Sequence, residues 1–206
     1  RASNYPPAPS KQKMPTIDFN SSNASSFKKS ASYTYSTSQF NALFGSNSNV
    51  TKTGIVYVTG NALIPRGYTL TINGALVAEG NIIIGTEWWP DSKAKPSLIV
   101  KDYGTKPAGL ISKGKIIFAS EASQIKIYGL IYALNEFKME WDSPSLTVTG
   151  GIFARKMSVS NNQISIYYND NTIARALAGG VLPTPPPPVI PYTPPAIKIE
   201  HWEEEY

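Results

Sequence analysis

The chain has 206 residues and no Cys, and its 19 Lys and Arg against 14 Asp and Glu leave a formal charge of +5, with only 16% of residues charged. That length builds one sizeable domain rather than two, and the missing Cys excludes disulfide stapling, thiolate metal sites and cysteine nucleophiles. So little charge argues against long amphipathic helices. The scattered Lys and Arg, with no run longer than Lys28-Lys29, lack the clustering of a nucleic-acid surface.

Residues 1–19 read as an extended N-terminal segment. No apolar run approaches the ~20 residues that span a bilayer, and no signal peptide is recognisable. The start at Arg1 in a Pro-rich stretch points to a processed or trimmed chain. Residues 20–53 are more than half Ser, Thr or Asn, with Phe27, Tyr33, Tyr35, Phe40, Leu43 and Phe44 interleaved. This spacing predicts short helices near 22–31 and 37–44, the second stopped by Gly45. Together they would form an N-terminal helical cap. The Asn-x-Ser/Thr triplets at Asn20, Asn23 and Asn49 are matches expected by chance in so Asn- and Ser-rich a stretch.

From 54 to 168 the chain repeats. Gly54, Gly74, Gly109, Gly129 and Gly151, spaced 20, 35, 20 and 22 residues apart, each open the same three-part pattern. Two apolar residues follow each glycine, as in Gly54-Ile55-Val56 and Gly151-Ile152-Phe153. Next comes an alternating apolar pair: Ala62/Ile64, Ile82/Ile84, Ile116/Phe118, Phe137/Met139 and Met157/Val159. A second pair closes the unit: Leu70/Ile72, Leu98/Val100, Ile125/Ile127, Leu146/Val148 and Ile164/Ile166. Alternation at period two marks strands. Three short strands returning in one order predict an all-β fold, a single-stranded β-helix or β-solenoid of about five three-stranded turns, expected to coil right-handed. The glycines are expected at corners that have no room for a Cβ. An antiparallel meander is the rival, disfavoured because Asn73-Gly74 is the one Asn-Gly hairpin signal.

The second turn is too long. Its excess falls at Gly85–Ser97, which contains Trp88-Trp89-Pro90, and at Lys101–Ala108; insertions of this kind loop out at solenoid corners. Beyond the repeat, Asn169-Asp170-Asn171 offers capping side chains, so a C-terminal cap helix is predicted within 169–182, stopped by Gly179-Gly180. Residues 183–206 are a Pro-rich extension. Eight prolines between Pro183 and Pro195 predict polyproline II, Ile197-Lys198-Ile199 is a candidate final strand, and Glu203-Glu204-Glu205 is acidic.

The single His is His201, within that acidic stretch, which leaves no basis for Ser-His-Asp or Cys-His catalysis. No phosphate loop, zinc pair or EF-hand pattern is present, so no catalytic residue, metal or cofactor is predicted. Polysaccharide cleavage by two carboxylates stays open on a solenoid, although the outward positions are mostly Thr, Ser, Lys and Ile. The candidate ligand site is a corner. Glu87-Trp88-Trp89-Pro90-Asp91 through Leu98 aligns with Glu140-Trp141-Asp142 through Leu146. A regular stack would set Trp88 or Trp89 about 10 Å from Trp141, twice the strand spacing. Indole faces edged by Glu87, Asp91, Glu140 and Asp142 suit alternate units of an extended glycan. The competing reading packs these tryptophans against the long loop or the N-terminal cap.

Several runs carry a family resemblance: Pro15-Thr16-Ile17-Asp18-Phe19, Gly54-Ile55-Val56-Tyr57-Val58-Thr59-Gly60-Asn61, Leu70-Thr71-Ile72-Asn73-Gly74-Ala75-Leu76-Val77-Ala78-Glu79-Gly80-Asn81, Tyr167-Tyr168-Asn169-Asp170 and Ile199-Glu200-His201-Trp202. Across about residues 15–202 the chain resembles bacterial type IV pilus-associated, minor-pilin-like surface proteins, in which a β-solenoid follows the pilin helix. It is more weakly similar to bactofilin-like solenoids and to β-helical cellulose-binding adhesins; the long Pro run favours the pilus-linked group. The resemblance implies an extracellular, cell-surface location and a structural or adhesive role in pilus assembly or attachment. It implies pilus or other cell-surface proteins, and polysaccharide, as partners. Membrane contact would come only through a pilin helix missing from this sequence. The alternatives are a cellulose-like polysaccharide-binding adhesin using the Trp-rich corner and a β-helical polysaccharide lyase or hydrolase.

Overall fold

The computed structural model describes residues 13–45, 48–85, 96–119, 124–140, 145–160 and 164–179. In chain order the elements are β1 (Tyr33–Tyr35), α1 (Thr37–Ala42), β2 (Asn49–Val58), β3 (Ala62–Ile64), β4 (Thr69–Ala78), β5 (Ile82–Ile84), β6 (Ser97–Lys101), β7 (Gly109–Ser112), β8 (Ile116–Phe118), β9 (Gln124–Met139), β10 (Leu146–Val159), β11 (Ile164–Tyr168) and α2 (Asp170–Leu177). All strand pairs are parallel, and each coil pairs with the next. The fold is a β-solenoid of about five turns.

Three sheets line the coil. Sheet A stacks the first halves of β2 and β4, then β6, the starts of β9 and β10, and β11. Sheet B stacks β1, the second halves of β2 and β4, β7, and the middles of β9 and β10. Sheet C stacks β3, β5, β8 and the ends of β9 and β10. The alternating pairs fall into single columns, as in Ile72, Val100, Ile127, Val148 and Ile166 of sheet A. Because side chains alternate along a strand, these columns point inward and fill the coil.

Sheet B differs because both of its faces are buried from β2 through β9, which explains the unbroken apolar runs after the glycines. Val56, Leu76, Leu110 and Ile131 face the interior. The outward column is Tyr57, Val77, Ile111, Tyr132 and Phe153. Ile17, Phe19 and Phe27 of the N-terminal segment and Ile173 and Ala176 of α2 pack over this face as a second core.

The helix predicted near 22–31 does not form. The segment turns instead, with Ser26 Oγ donating to the Ser21 carbonyl at 3.0 Å and Ser30 Oγ to the Ser26 carbonyl at 2.8 Å. Serine hydroxyls compete for backbone groups in this way and disfavour helix. The other cap helix does form, as α1. Ser36 and Gln39 close a reciprocal capping box at its start, and Phe40 and Phe44 plug the mouth of the coil.

The region expected to be helical cap up to residue 53 is strand from Asn49, so the solenoid begins earlier. Sequence periodicity misses this rung because Lys52 occupies the column position of Ile72. Its ammonium group lies 4.9 Å from the Tyr33 ring centre, a cation–π contact at the end of the stack. The glycine register also differs. Gly54 pairs with Gly74, and Gly129 with Gly150, whereas Gly109 and Gly151 pair with Leu130. Gly150 is thus the corner glycine, and Gly151 makes room for the Ile173 side chain.

Finally, α2 lies along the flank of sheet B rather than over the end of the coil, leaving Met157, Val159 and Ile166 exposed on the last rung. The predicted polyproline run and the candidate strand at Ile197–Ile199 lie outside the described residues.

Candidate functional site

Of the corner residues singled out from sequence, Glu87, Trp88, Trp89, Asp91, Trp141 and Asp142 lie outside the described residues. Leu98, Ile125 and Leu146 occupy one column, so β6 and β10, the strands that follow the two Trp-bearing stretches in the sequence, are in register two coils apart. Glu140 is the described member of the set. It is half-buried, and its Oε1 accepts from Lys138 Nζ at 2.7 Å. Its amide donates to the Phe118 carbonyl, continuing the sheet C ladder.

The corner between sheets B and C carries an ion-pair column. Glu136 receives Lys115 Nζ at 2.9 Å from the coil before and Lys156 Nζ at 2.9 Å from the coil after, and Ser158 Oγ donates to it at 2.9 Å. Hydrogen bonds from Lys115, then Lys156 and Ser158, hold the Glu136 carboxyl down to about 2. The signal was present in sequence, since Lys115, Glu136 and Lys156 recur at one place in successive turns, but it shows only once the register is known.

On the flank of sheet B, Tyr57 Oη donates to Glu79 Oε1 at 2.5 Å, and Asn20 Nδ2 donates to the same oxygen at 3.1 Å. Burial, then the bond to Glu79, pushes the Tyr57 hydroxyl well up, and that bond lowers Glu79 in turn. Glu136 and Glu79 therefore stay ionised and Tyr57 stays protonated around neutral pH. These groups hold the wall together and are not poised to exchange protons. Among the described residues, no group of three or more His, Asp or Glu is placed to hold a metal ion.

Two hollows mark the surface. A groove of about 1150 Å³ runs on the sheet B flank between Met14–Ile17 and the side chains of Tyr132, Leu134 and Phe153. The Tyr132 hydroxyl donates to the Pro15 carbonyl at 2.8 Å, tying down the N-terminal segment as one wall. Lys13, Lys113 and Arg155 contribute to the lining, and among the described residues no carboxylate does. A shallower hollow of about 390 Å³ lies on the outer face of sheet A, among Ile99, Lys126, Tyr128, Thr147 and Thr149. In the central column of that face Thr51, Lys126, Thr147 and Ser165 are exposed, and Thr71 and Ile99 between them are half-buried. Sequence reasoning found neither hollow.

No protein-family model, no curated protein and no solved structure matches the chain.

Proposed function

We propose that the chain is an extracellular domain of a bacterial type IV pilus-associated surface protein, with a structural or adhesive role in pilus assembly or surface attachment. It would work by presenting surface, without catalysis. One observation carries the reading. The outer face of sheet A is largely polar, exposed at Thr51, Lys126, Thr147 and Ser165 and half-buried at Thr71 and Ile99, while the flank of sheet B is covered by chain. A coil hydrogen-bonded rung to rung is stiff, and stiff scaffolds bearing corner loops suit display and contact. Fractionation of source cells tests it: the protein is expected with the cell surface and sheared pili, and confinement to the cytosol overturns the proposal.

A second reading, a polysaccharide-binding adhesin, rests on the two Trp-bearing segments of the sequence; it is supported by the strands that follow them, β6 and β10, whose Leu98 and Leu146 share one column. Aromatic side chains at a repeat of about 10 Å suit a glycan chain. The combined variant W88A/W89A/W141A is expected to lose retention on insoluble cellulose. Unchanged retention removes this reading and leaves the first standing.

A further inference from the structure

The groove on the sheet B flank has the chemistry of a site for an acidic, partly apolar peptide segment. Its floor is apolar: Phe153 is half-buried although it ends the column Tyr57, Val77, Ile111 and Tyr132, which is buried in the earlier coils, and the half-buried Leu134 shares the lining. The N-terminal segment covers this face as far as Tyr132 and leaves the next rung, Phe153, less covered. Three cations stand around the floor. Lys113 Nζ lies 5.3 Å from the Phe19 ring centre, Arg155 is close enough for its charge to bear on the Tyr132 hydroxyl, and Lys13 also lines the hollow. Lys113 shares its charge with Glu79; with an apolar floor, Lys13 and Arg155 beside it and no carboxylate among the described residues that line it, the hollow selects for negative charge next to apolar side chains.

Two stretches outside the described residues, 1–12 and 180–206, continue in sequence from segments that pack on this flank. Residues 1–12 carry Arg1 and Lys11 and no acid, the wrong sign for the groove. Residues 180–206 carry Glu200, Glu203, Glu204 and Glu205 against Lys198, with Ile197, Ile199 and Trp202 among them. They leave from the correct side. α2 packs on the sheet B flank, and a Cβ on Gly179, just past its end, would press against the Ser25 carbonyl of the N-terminal segment. Reach is not limiting: some 20 residues of Pro-rich chain at about 3.1 Å each extend about 60 Å, whereas six rungs at about 4.8 Å spacing are roughly 25 Å tall.

We propose that this groove is the docking site of the chain's own segment Ile197–Glu205, its carboxylates meeting Lys13, Lys113 and Arg155 and its apolar side chains covering Leu134 and Phe153.

The test uses the full chain. Because the protein has no Cys, Ala196→Cys gives one attachment point for a nitroxide label, read by electron paramagnetic resonance. In 50 mM salt the label is expected to be immobilised. Lys13→Glu with Arg155→Glu, two exposed positions, should release it, and adding E203K/E204K/E205K should immobilise it again. Raising salt to 0.5 M in the unreversed protein should also mobilise it, because the attraction is screened. A label that tumbles freely in the unreversed protein overturns the proposal, even if an added acidic peptide then binds the groove. So does one held equally in the charge-reversed protein with an unchanged circular dichroism spectrum. Should charge reversal prevent folding, immobilisation that ignores salt overturns it as well.

Discussion

At the residue scale, the glycines divide by what a side chain would meet. Gly74 has φ +134, and a Cβ there would fall inside van der Waals contact of the Gly54 carbonyl one coil below. Backbone cannot move aside without breaking the ladder. Gly104 has φ +63 and open space around it. Gly74→Ala is therefore expected to cost about 3 kcal/mol or more, and Gly104→Ala about 1 kcal/mol, as read from urea unfolding.

The Glu136 column predicts a pH dependence with a defined sign. Its carboxyl titrates at about 2 in the fold against an ordinary value of 4.5. The stabilisation is thus fully present above pH 4.5 and is lost as pH falls toward 2. E136Q should lower the thermal midpoint at pH 7. It should also shrink the drop between pH 4.5 and 2, where the two curves converge. Parallel curves across that window would contradict the ion-pair geometry.

At the element scale, Phe40 on α1 is fully buried at the mouth of the coil, edge-on to Phe44 at 5.6 Å. Phe40→Ala should cost about 3–5 kcal/mol locally. Hydrogen exchange should locate the loss: β1, α1 and β2 should lose protection while β9 and β10 keep theirs, because rungs contact only their neighbours. Uniform loss across the chain would mean that the plug is not a local cap.

The same contrast shows what could be read from sequence. The columns of sheets A and C were legible because one face is buried and the other is not, which imprints period two. Sheet B hid its outer face because both faces are apolar, so no alternation betrayed the flank on which α2 and the N-terminal segment dock. The β2 rung was hidden by Lys52, which satisfies its charge over Tyr33 and Tyr35. The groove was illegible for another reason: its walls, near Met14 and Phe153, are far apart in the chain, and no local pattern joins them. Of the Trp corner, the alignment of the two flanking strands was legible, since Leu98 and Leu146 repeat the same inward position.

At the scale of the whole molecule, the two ends of the described stack are unequal, and stability should grade from one to the other. The first rungs are closed by β1, α1 and the Phe40–Phe44 plug. At the other end, β11 pairs only with β10 among the described residues, and Ile166 is 49% exposed where its column mate Ile72 is fully buried. A nearest-neighbour stack gives an inner rung two interfaces and a terminal rung one. One column thus offers a controlled comparison of a single chemistry in two settings. Ile72→Ala should cost about 2–5 kcal/mol, and Ile166→Ala less than about 1 kcal/mol. Amide exchange in the unsubstituted protein should be slowest in β4, β6 and β9 and fastest in β11. If Ile166→Ala proved as damaging as Ile72→Ala, the last rung would have to be covered in solution by a further layer of chain or by a second molecule. The exchange of β11 would decide whether that layer forms a strand, because only a strand on its free edge would slow those amides.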